Sequence, residues 1–439
     1  MEAHPRRTRG YARAGLSRGR PCVPHRLQPY SRGIHAAAGE HRRIGAGRAA
    51  RCAAPHAPDR GAGPRAGNAP STAPRLVYTH RPRFVSPGNE RAPGAPGFSA
   101  RAIGLRRPQL RGSGVSGLAV LRSTAEWAAR YGASGTRAVL SVGNFDGLHL
   151  GHQKILGQVI EQAEAKQGIS SVITFDPHPL KVLRPGKAPP LVETMNQRME
   201  QLAAMGLEAA LVLRFDRALA ALSPEEFVRG VLVQELKTAA VLVGENFRFG
   251  HRQEGTVEIL TELGRRLGFS VQIVEPVVID GEFVSSTGVR TAIAEGRVAY
   301  AARLLGRPFA LTGEIIRGAG RGATVLFPTL NLAPEQELLP RVGVYATETR
   351  VEGRLYRSAT NVGFRPTFDG TLLGVESHLF DFSRELTQGR LEVRFWERLR
   401  DERKFSGPAE LRAQIAADLR EVRDYFHRRD AAPTQPVRS

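Results

Sequence analysis

The chain's 439 residues are enough for two or three domains, and no apolar run reaches the roughly eighteen residues of a membrane-spanning helix. Its formal charge of +21 would ordinarily point to a nucleic acid or a membrane surface as partner. Residues 1–110, however, carry 21 arginines, no lysine and only 4 acidic residues, so the excess is concentrated there. The remainder is close to balanced, which argues against a polyanion as its partner.

Residues 1–115 are rich in Arg, Ala, Pro and Gly and show no sustained period. Such a segment buries too little apolar surface to offset its chain entropy, so disorder is expected. Three readings stand open for it: a basic tail for nucleic acid, an Arg-rich targeting peptide, and upstream sequence translated from a misplaced start. Its few serines and lack of an amphipathic helix tell against targeting, and the absence of lysine favours the third reading. Both cysteines, Cys22 and Cys52, lie in it. The rest of the chain can therefore form no disulfide and no Cys-based zinc site, as suits a reducing cytoplasm.

Residues 116–305 alternate apolar strands with amphipathic helices, the pattern of a mostly parallel α/β sheet. Strands are expected at Ala138–Val142, Ser171–Phe175, Ala209–Leu213, Ala239–Val243 and Ser270–Val274. Helices are expected at Gln153–Lys166, Met195–Met205, Pro224–Leu236 and Val257–Leu267, with Ser223 as cap and Pro224 as first helical residue of the third. The loop Gly143-Asn144-Phe145-Asp146-Gly147-Leu148-His149-Leu150-Gly151-His152 joins the first strand to the first helix. Ligands of open α/β sheets bind at that kind of junction, where free N–H groups and the helix dipole favour anions. Gly143, Gly147 and Gly151 allow close approach of backbone to phosphate. His149 and His152, three apart, share one side of the incipient turn and can offer a proton or positive charge.

Three more strand ends carry candidate chemistry. In Thr174-Phe175-Asp176-Pro177-His178-Pro179 two prolines fix the loop and can hold Phe175 against a planar ring. Gly244-Glu245-Asn246-Phe247-Arg248-Phe249-Gly250 offers an amide, a guanidinium and two aromatics. Ser285-Ser286-Thr287-Gly288-Val289-Arg290 offers cap hydroxyls and an arginine for phosphate.

Residues 306–430, after Leu305-Gly306-Arg307-Pro308-Phe309, shift to short strands: Phe309–Ile316, Gly343–Thr349, Ser358–Val362, Gly374–Asp381 and Leu391–Phe395. A helix from Pro408 to Phe426 follows, so a small antiparallel barrel with a terminal helix is expected, then a disordered tail over 431–439. No Walker A sequence occurs. The turn with Gly318, Gly320, Arg321 and Gly322 can arch over phosphates. Thr329 and Asn331, in Phe327-Pro328-Thr329-Leu330-Asn331, place a hydroxyl and an amide on one side of an extended segment, which suits Mg²⁺ held through neutral oxygens and phosphate.

Together these motifs resemble the bacterial bifunctional riboflavin kinase and FMN adenylyltransferase family, usually called FAD synthetase. G-N-F-D-G-x-H-x-G-H, T-F-D-P-H-P, G-x-N-F-x-F-G, S-S-T-x-V-R, F-P-T-x-N, N-x-G-x-x-P-T and V-E-x-x-L-x-D occur in family order over roughly 118–426. The resemblance implies a Rossmann-like nucleotidyltransferase domain followed by a barrel kinase domain, with riboflavin, FMN and ATP as substrates and Mg²⁺ as cofactor. It assigns the ATP phosphates of adenylyl transfer to Gly143, Asn144, Phe145, Asp146, His149, Gly151, His152, Ser286, Thr287 and Arg290. Flavin would meet Phe175, Pro177, Asn246 and, on a weaker match, Arg400, and Glu376 would be the base of the kinase reaction. One position departs from the family pattern: Leu326 stands where a glycine usually precedes F-P-T. That leaves two other readings beside the bifunctional one: an adenylyltransferase with an impaired kinase half, and a nucleic-acid-binding protein acting through its basic tail.

Overall fold

The computed structural model describes residues 117–317, 328–367 and 370–431. The amino-terminal extension, the turn with Gly318, Gly320, Arg321 and Gly322, Leu326 and the tail after 431 lie outside the described residues.

The first half runs β1 (Ala119–Leu121), α1 (Thr124–Tyr131), β2 (Ala138–Val142), α2 (Leu150–Ala165), β3 (Ile169–Asp176), α3 (Pro179–Leu183), α4 (Met195–Met205) and β4 (Ala209–Arg214). It continues with α5 (Arg217–Ala221), α6 (Pro224–Phe227), a π-helix over Val228–Glu235, β5 (Ala240–Gly244), α7 (Val257–Leu267) and β6 (Ser270–Val274). The six strands form one parallel sheet in the order β1-β4-β3-β2-β5-β6. β2 is buried along its whole length, as a strand covered on both faces must be. Ala138, Leu140 and Val142 pack with Trp127, Leu232 and Leu260 on one face, whereas Val139 packs with Leu156, Val159 and Leu202 on the other. From β2 the chain moves outward through β3 and β4, then returns to place β5 on the opposite side of β2. The carboxyl end of β2 is therefore the topological switch point, where such sheets open a crevice for ligand.

The single α-helix expected over Pro224–Leu236 is interrupted. Ser223 and Glu226 form a reciprocal capping box with Pro224 in the first turn, but α6 gives way to the π-helix. At its carboxyl end Thr238 donates to the Leu232 carbonyl through both its N–H and its hydroxyl, at 2.9 and 2.6 Å. With that carbonyl occupied, Leu236 N–H reaches back five residues to Val231 at 3.1 Å.

A short hairpin, β7 (Val278–Ile279) and β8 (Glu282–Phe283), leads into α8 (Ser286–Ala294) and α9 (Val298–Leu305). Six antiparallel strands follow: β9 (Phe309–Ile316), β10 (Leu330–Pro334), β11 (Gly343–Val351), β12 (Arg354–Thr367), β13 (Gly370–Leu379) and β14 (Arg390–Arg400). They close into a barrel in the order β10-β13-β12-β11-β14-β9. Tyr345, Val362, Val375, Val393 and Phe395 fill it. Beside them the buried hydroxyls of Thr349, Ser358, Thr347, Thr360 and Ser377 form a continuous chain with spacings of 2.7–2.8 Å, so each is satisfied without water. Helix α10 (Pro408–Ala431) lays Leu419, Val422 and Phe426 against Ala346, Ala359 and Phe380 of the barrel wall.

The two halves share a core. Val289, Ala292, Ile293, Val298, Ala301, Leu304 and Leu305 of α8 and α9 belong to the same apolar cluster as Phe309, Leu311, Tyr345 and Phe395 of the barrel. Gly296, between these helices at φ +79°, has no room for a Cβ because the Arg398 side chain would lie 2.6 Å from it. No described helix is long and apolar enough to cross a membrane.

Candidate active sites

The loop after β2 is fixed from beneath. Phe145, Gly147 and Leu148 all take positive φ, and the Phe145 and Leu148 side chains are buried in the core under the sheet. Asp146, also buried, accepts from Val192 N–H at 3.0 Å, Glu193 N–H at 3.4 Å, Arg198 at 3.5 Å and Arg290 at 2.7 Å. Phe145 and Asp146, both expected to bind nucleotide, thus turn their side chains inward and would meet a ligand through backbone alone.

Above them His149 caps α2, its Nδ1 accepting from His152 N–H at 3.4 Å. With Nδ1 as acceptor, the proton of a neutral His149 sits on Nε2 and can be donated outward. The two imidazoles stack at 3.7 Å, and Phe145 meets His152 edge-on at 5.1 Å. His152 Nδ1 has no hydrogen-bond partner among the described residues, which marks a buried polar atom placed for a ligand. Burial, with Arg307 and Arg290 close by, lowers the His149 pKa to about 4. Burial and the neighbouring His149 hold His152 well below the ordinary histidine range. Both rings are therefore neutral near pH 7. The cations nearest them, Arg198, Arg290 and Arg307, are paired with Asp146 and Glu193.

Distant segments converge here. Ser286 Oγ donates to the Asp146 carbonyl at 2.9 Å, and Ser285 caps α8 by accepting from Gly288 N–H at 3.2 Å, leaving Thr287 exposed in the first turn. Thr174 Oγ1 donates to the Asn144 carbonyl at 3.1 Å. Phe175 packs edge-on against Phe215 at 5.6 Å, and Pro177 lines a shallow cleft with Arg122, Asp176, Val212 and Arg214. Asn246 is exposed at the carboxyl end of β5, across the switch point from the loop. Sequence reasoning missed Glu193, Arg198 and Arg307. Only Arg307 left a signal, in the Leu305–Phe309 stretch read as a domain boundary.

A second constellation lies on the barrel. Asn331 of β10, Glu376 of β13 and Asn361 of β12 are direct register partners, so they form a row across three adjacent strands. Thr329 precedes β10, where His378 Nδ1 contacts the Pro328 carbonyl at 2.9 Å. Gly363 flanks the row: a Cβ there would lie 2.4 Å from Glu402 Oε1 and 2.9 Å from Asn361 Nδ2. Its absence lets the Glu402 carboxylate, unnoticed in the sequence, reach the row. Arg400, expected at the flavin, is bound by Asp418 of α10 through two hydrogen bonds of 2.8 and 2.7 Å. Among the described residues no three His, Cys, Asp or Glu side chains cluster as a metal cage. The neutral oxygens of Thr329 and Asn331 do fit Mg²⁺ that takes its remaining ligands from phosphate and water.

A histidine-capped helix at the switch point of a parallel sheet, fused to a closed barrel that carries its own acid and amide row, defines a two-site phosphate-transfer enzyme of the nucleotidyltransferase and barrel-kinase classes. Residues 133–288 match the family model for FAD synthetase and residues 305–426 that for riboflavin kinase. The bifunctional riboflavin kinase/FMN adenylyltransferase of Escherichia coli (strain K12) is 35% identical over 289 residues, covering 66% of this chain and 92% of the relative. That of Bacillus subtilis (strain 168) is 34% identical over 296 residues, covering 66% and 93%. A solved structure described as a macrolide-efflux protein from Streptococcus pneumoniae superposes with a TM-score of 0.61 at 29% identity, covering 66% of this chain and 95% of that one. The chain belongs to the bifunctional riboflavin kinase/FMN adenylyltransferase family.

Proposed function

We propose that the chain makes FAD in two steps, phosphorylating riboflavin in the barrel and adenylylating the resulting FMN at the sheet. The observation that carries this is the presence of two separate constellations, the loop after β2 with its two histidines within the segment matched by the FAD synthetase model and the Asn331–Glu376–Asn361 row within that matched by the riboflavin kinase model. For adenylyl transfer, the FMN phosphate attacks the α-phosphorus of ATP and pyrophosphate leaves, with no protein nucleophile. The neutral His149–His152 pair donates to phosphate oxygens, and Arg290 and the amino ends of α2 and α8 offset negative charge. Phosphate chemistry of this kind depends on positioning and charge stabilisation. Gly143, Asn144 and Gly151 bring backbone close to the nucleotide, while Phe175, Pro177 and Asn246 border the flavin.

For the kinase step, Glu376 takes the proton of the ribityl 5′-hydroxyl as that oxygen attacks the γ-phosphorus of ATP and ADP leaves. Thr329 and Asn331 would hold Mg²⁺, which neutralises phosphate charge when bound. Both steps belong in the cytoplasm, on the lack of cysteine after Cys52 and the need for ATP.

The test is incubation with riboflavin, ATP and Mg²⁺, following FMN and FAD by chromatography. Wild type should make both. His152→Ala should stop at FMN, and Glu376→Gln should make FAD only from added FMN. A folded variant that lost both reactions would overturn this division of labour. A wild type that converts FMN but not riboflavin would instead establish the impaired-kinase reading raised by Leu326.

A further inference from the structure

We infer that Arg307, on the kinase side of the junction between the halves, is a positioning residue for adenylyl transfer, holding the phosphate loop in register from outside its own domain. This rests on the reading of that loop proposed above. The Arg307 guanidinium donates to the Gly147 carbonyl at 2.9 Å and the Leu148 carbonyl at 3.3 Å. It also donates to Glu193 at 3.1 Å, whose buried carboxylate is held further by Arg198 at 3.4 Å and Gln201 at 2.9 Å. Gln153 of α2 adds a second clamp, donating to the Leu148 and Leu305 carbonyls, both at 2.7 Å.

These contacts fall where the loop is most constrained. Gly147 sits at φ +85°, and a Cβ on it would lie 3.1 Å from Val192, the neighbour of Glu193. A trans peptide sets the N–H of each residue antiparallel to the preceding carbonyl. Two donors on the Leu148 carbonyl therefore fix the plane of the peptide that leads into His149, the cap of α2. Asp146 and Glu193 face Arg198, Arg290 and Arg307, so the buried cluster keeps one positive charge in excess beneath the loop. Glu193 links the two ends of this cluster, since it shares Arg198 with Asp146. Neither the barrel row nor Thr329 touches Arg307 in any described contact, so the kinase reaction should not depend on it.

The test uses the full chain and measures FMN to FAD and riboflavin to FMN separately for wild type, Arg307→Ala and Arg307→Lys. Arg307→Ala is expected to lower kcat/KM for FAD formation by about 30- to 100-fold, partly through a higher KM for ATP, as misplacement of a catalytic loop does. Riboflavin phosphorylation should stay within about twofold. Arg307→Lys should recover part of the loss, because an ammonium can serve Glu193 and one carbonyl but lacks the fork that spans two. FAD formation unchanged in Arg307→Ala, or a parallel loss of both reactions, would overturn the inference while leaving the two-step reading intact. No FAD from wild type would overturn the reading of the site and this inference with it.

Discussion

A Cβ on Gly151 would lie 3.2 Å from both Cε1 and Nδ1 of His149, with the Val284 carbonyl 3.6 Å away. Gly151→Ala should therefore displace the imidazole rather than the helix, and lower FMN adenylylation by about 100-fold while sparing riboflavin phosphorylation. Measured rates for the two half-reactions check this. The same imidazole sets a pH dependence. Its folded pKa of about 4 lies below the ordinary 6.5, so the unfolded chain binds a proton that the folded one refuses as pH falls between these values. Stability is fully present above pH 6.5 and declines below it, by about 2 kcal/mol at pH 5 from His149 alone. His149→Asn keeps a capping side chain but not the titration, so its urea midpoint should fall less than that of wild type between pH 7 and pH 5. Equal falls would show that His149 is not the source. The sequence placed both histidines at the head of a helix but not their neutrality. That depends on burial and on Arg290 and Arg307, more than 130 residues further along the chain.

At the scale of elements, Ala138–Val142, Met195–Met205, Val257–Leu267, Ser270–Val274 and Phe309–Ile316 were legible end to end, because each carries a clean period and local turn or cap signals. β10 was not read as a strand, since five residues ending in proline carry too little alternation, and only its pairing with β9 and β13 makes it one. α9 was missed because Val298, Ala301, Leu304 and Leu305 are all buried in a core that its own half does not complete. The row Asn331–Glu376–Asn361 was legible in its parts, but Glu402 was not, since nothing local ties it to Gly363. Gly363→Ala should push Glu402 and Asn361 apart and lower riboflavin phosphorylation by about tenfold or more, with FMN adenylylation unchanged. Two residues before Glu402, Arg400 ends β14 opposite Val344, the β11 partner of Asn361, and Asp418→Ala strands its guanidinium. Arg400 keeps 22% exposure, so the cost should be about 2–3 kcal/mol, short of a fully buried pair, read as a lower denaturation midpoint.

Across the whole molecule, the cluster joining α8 and α9 to the barrel makes independent unfolding of the halves unfavourable. Heating should give one cooperative transition, and Ile293→Ala, which removes a fully buried side chain at the join, should lower it by about 2–5 kcal/mol and weaken both activities together. Two well-separated calorimetric peaks would contradict this. The charge excess of residues 1–110 has no counterpart in this shared core. A chain beginning at residue 117 should retain both reactions, since the matched segments begin at residue 133.

The family models account for residues 133–288 and 305–426 and leave 289–304 between them, most of α8 and all but the last residue of α9. A recombinant joined at 305 from two relatives would set foreign helices against the barrel interior. A joint ahead of Ser285 would let α8 and α9 travel with the barrel, but would part Arg290 from the Asp146 with which it pairs at 2.7 Å. Neither seam is clean, so the two activities should pass between lineages as one heritable unit, and a working graft must match residues 285–307 to both parents.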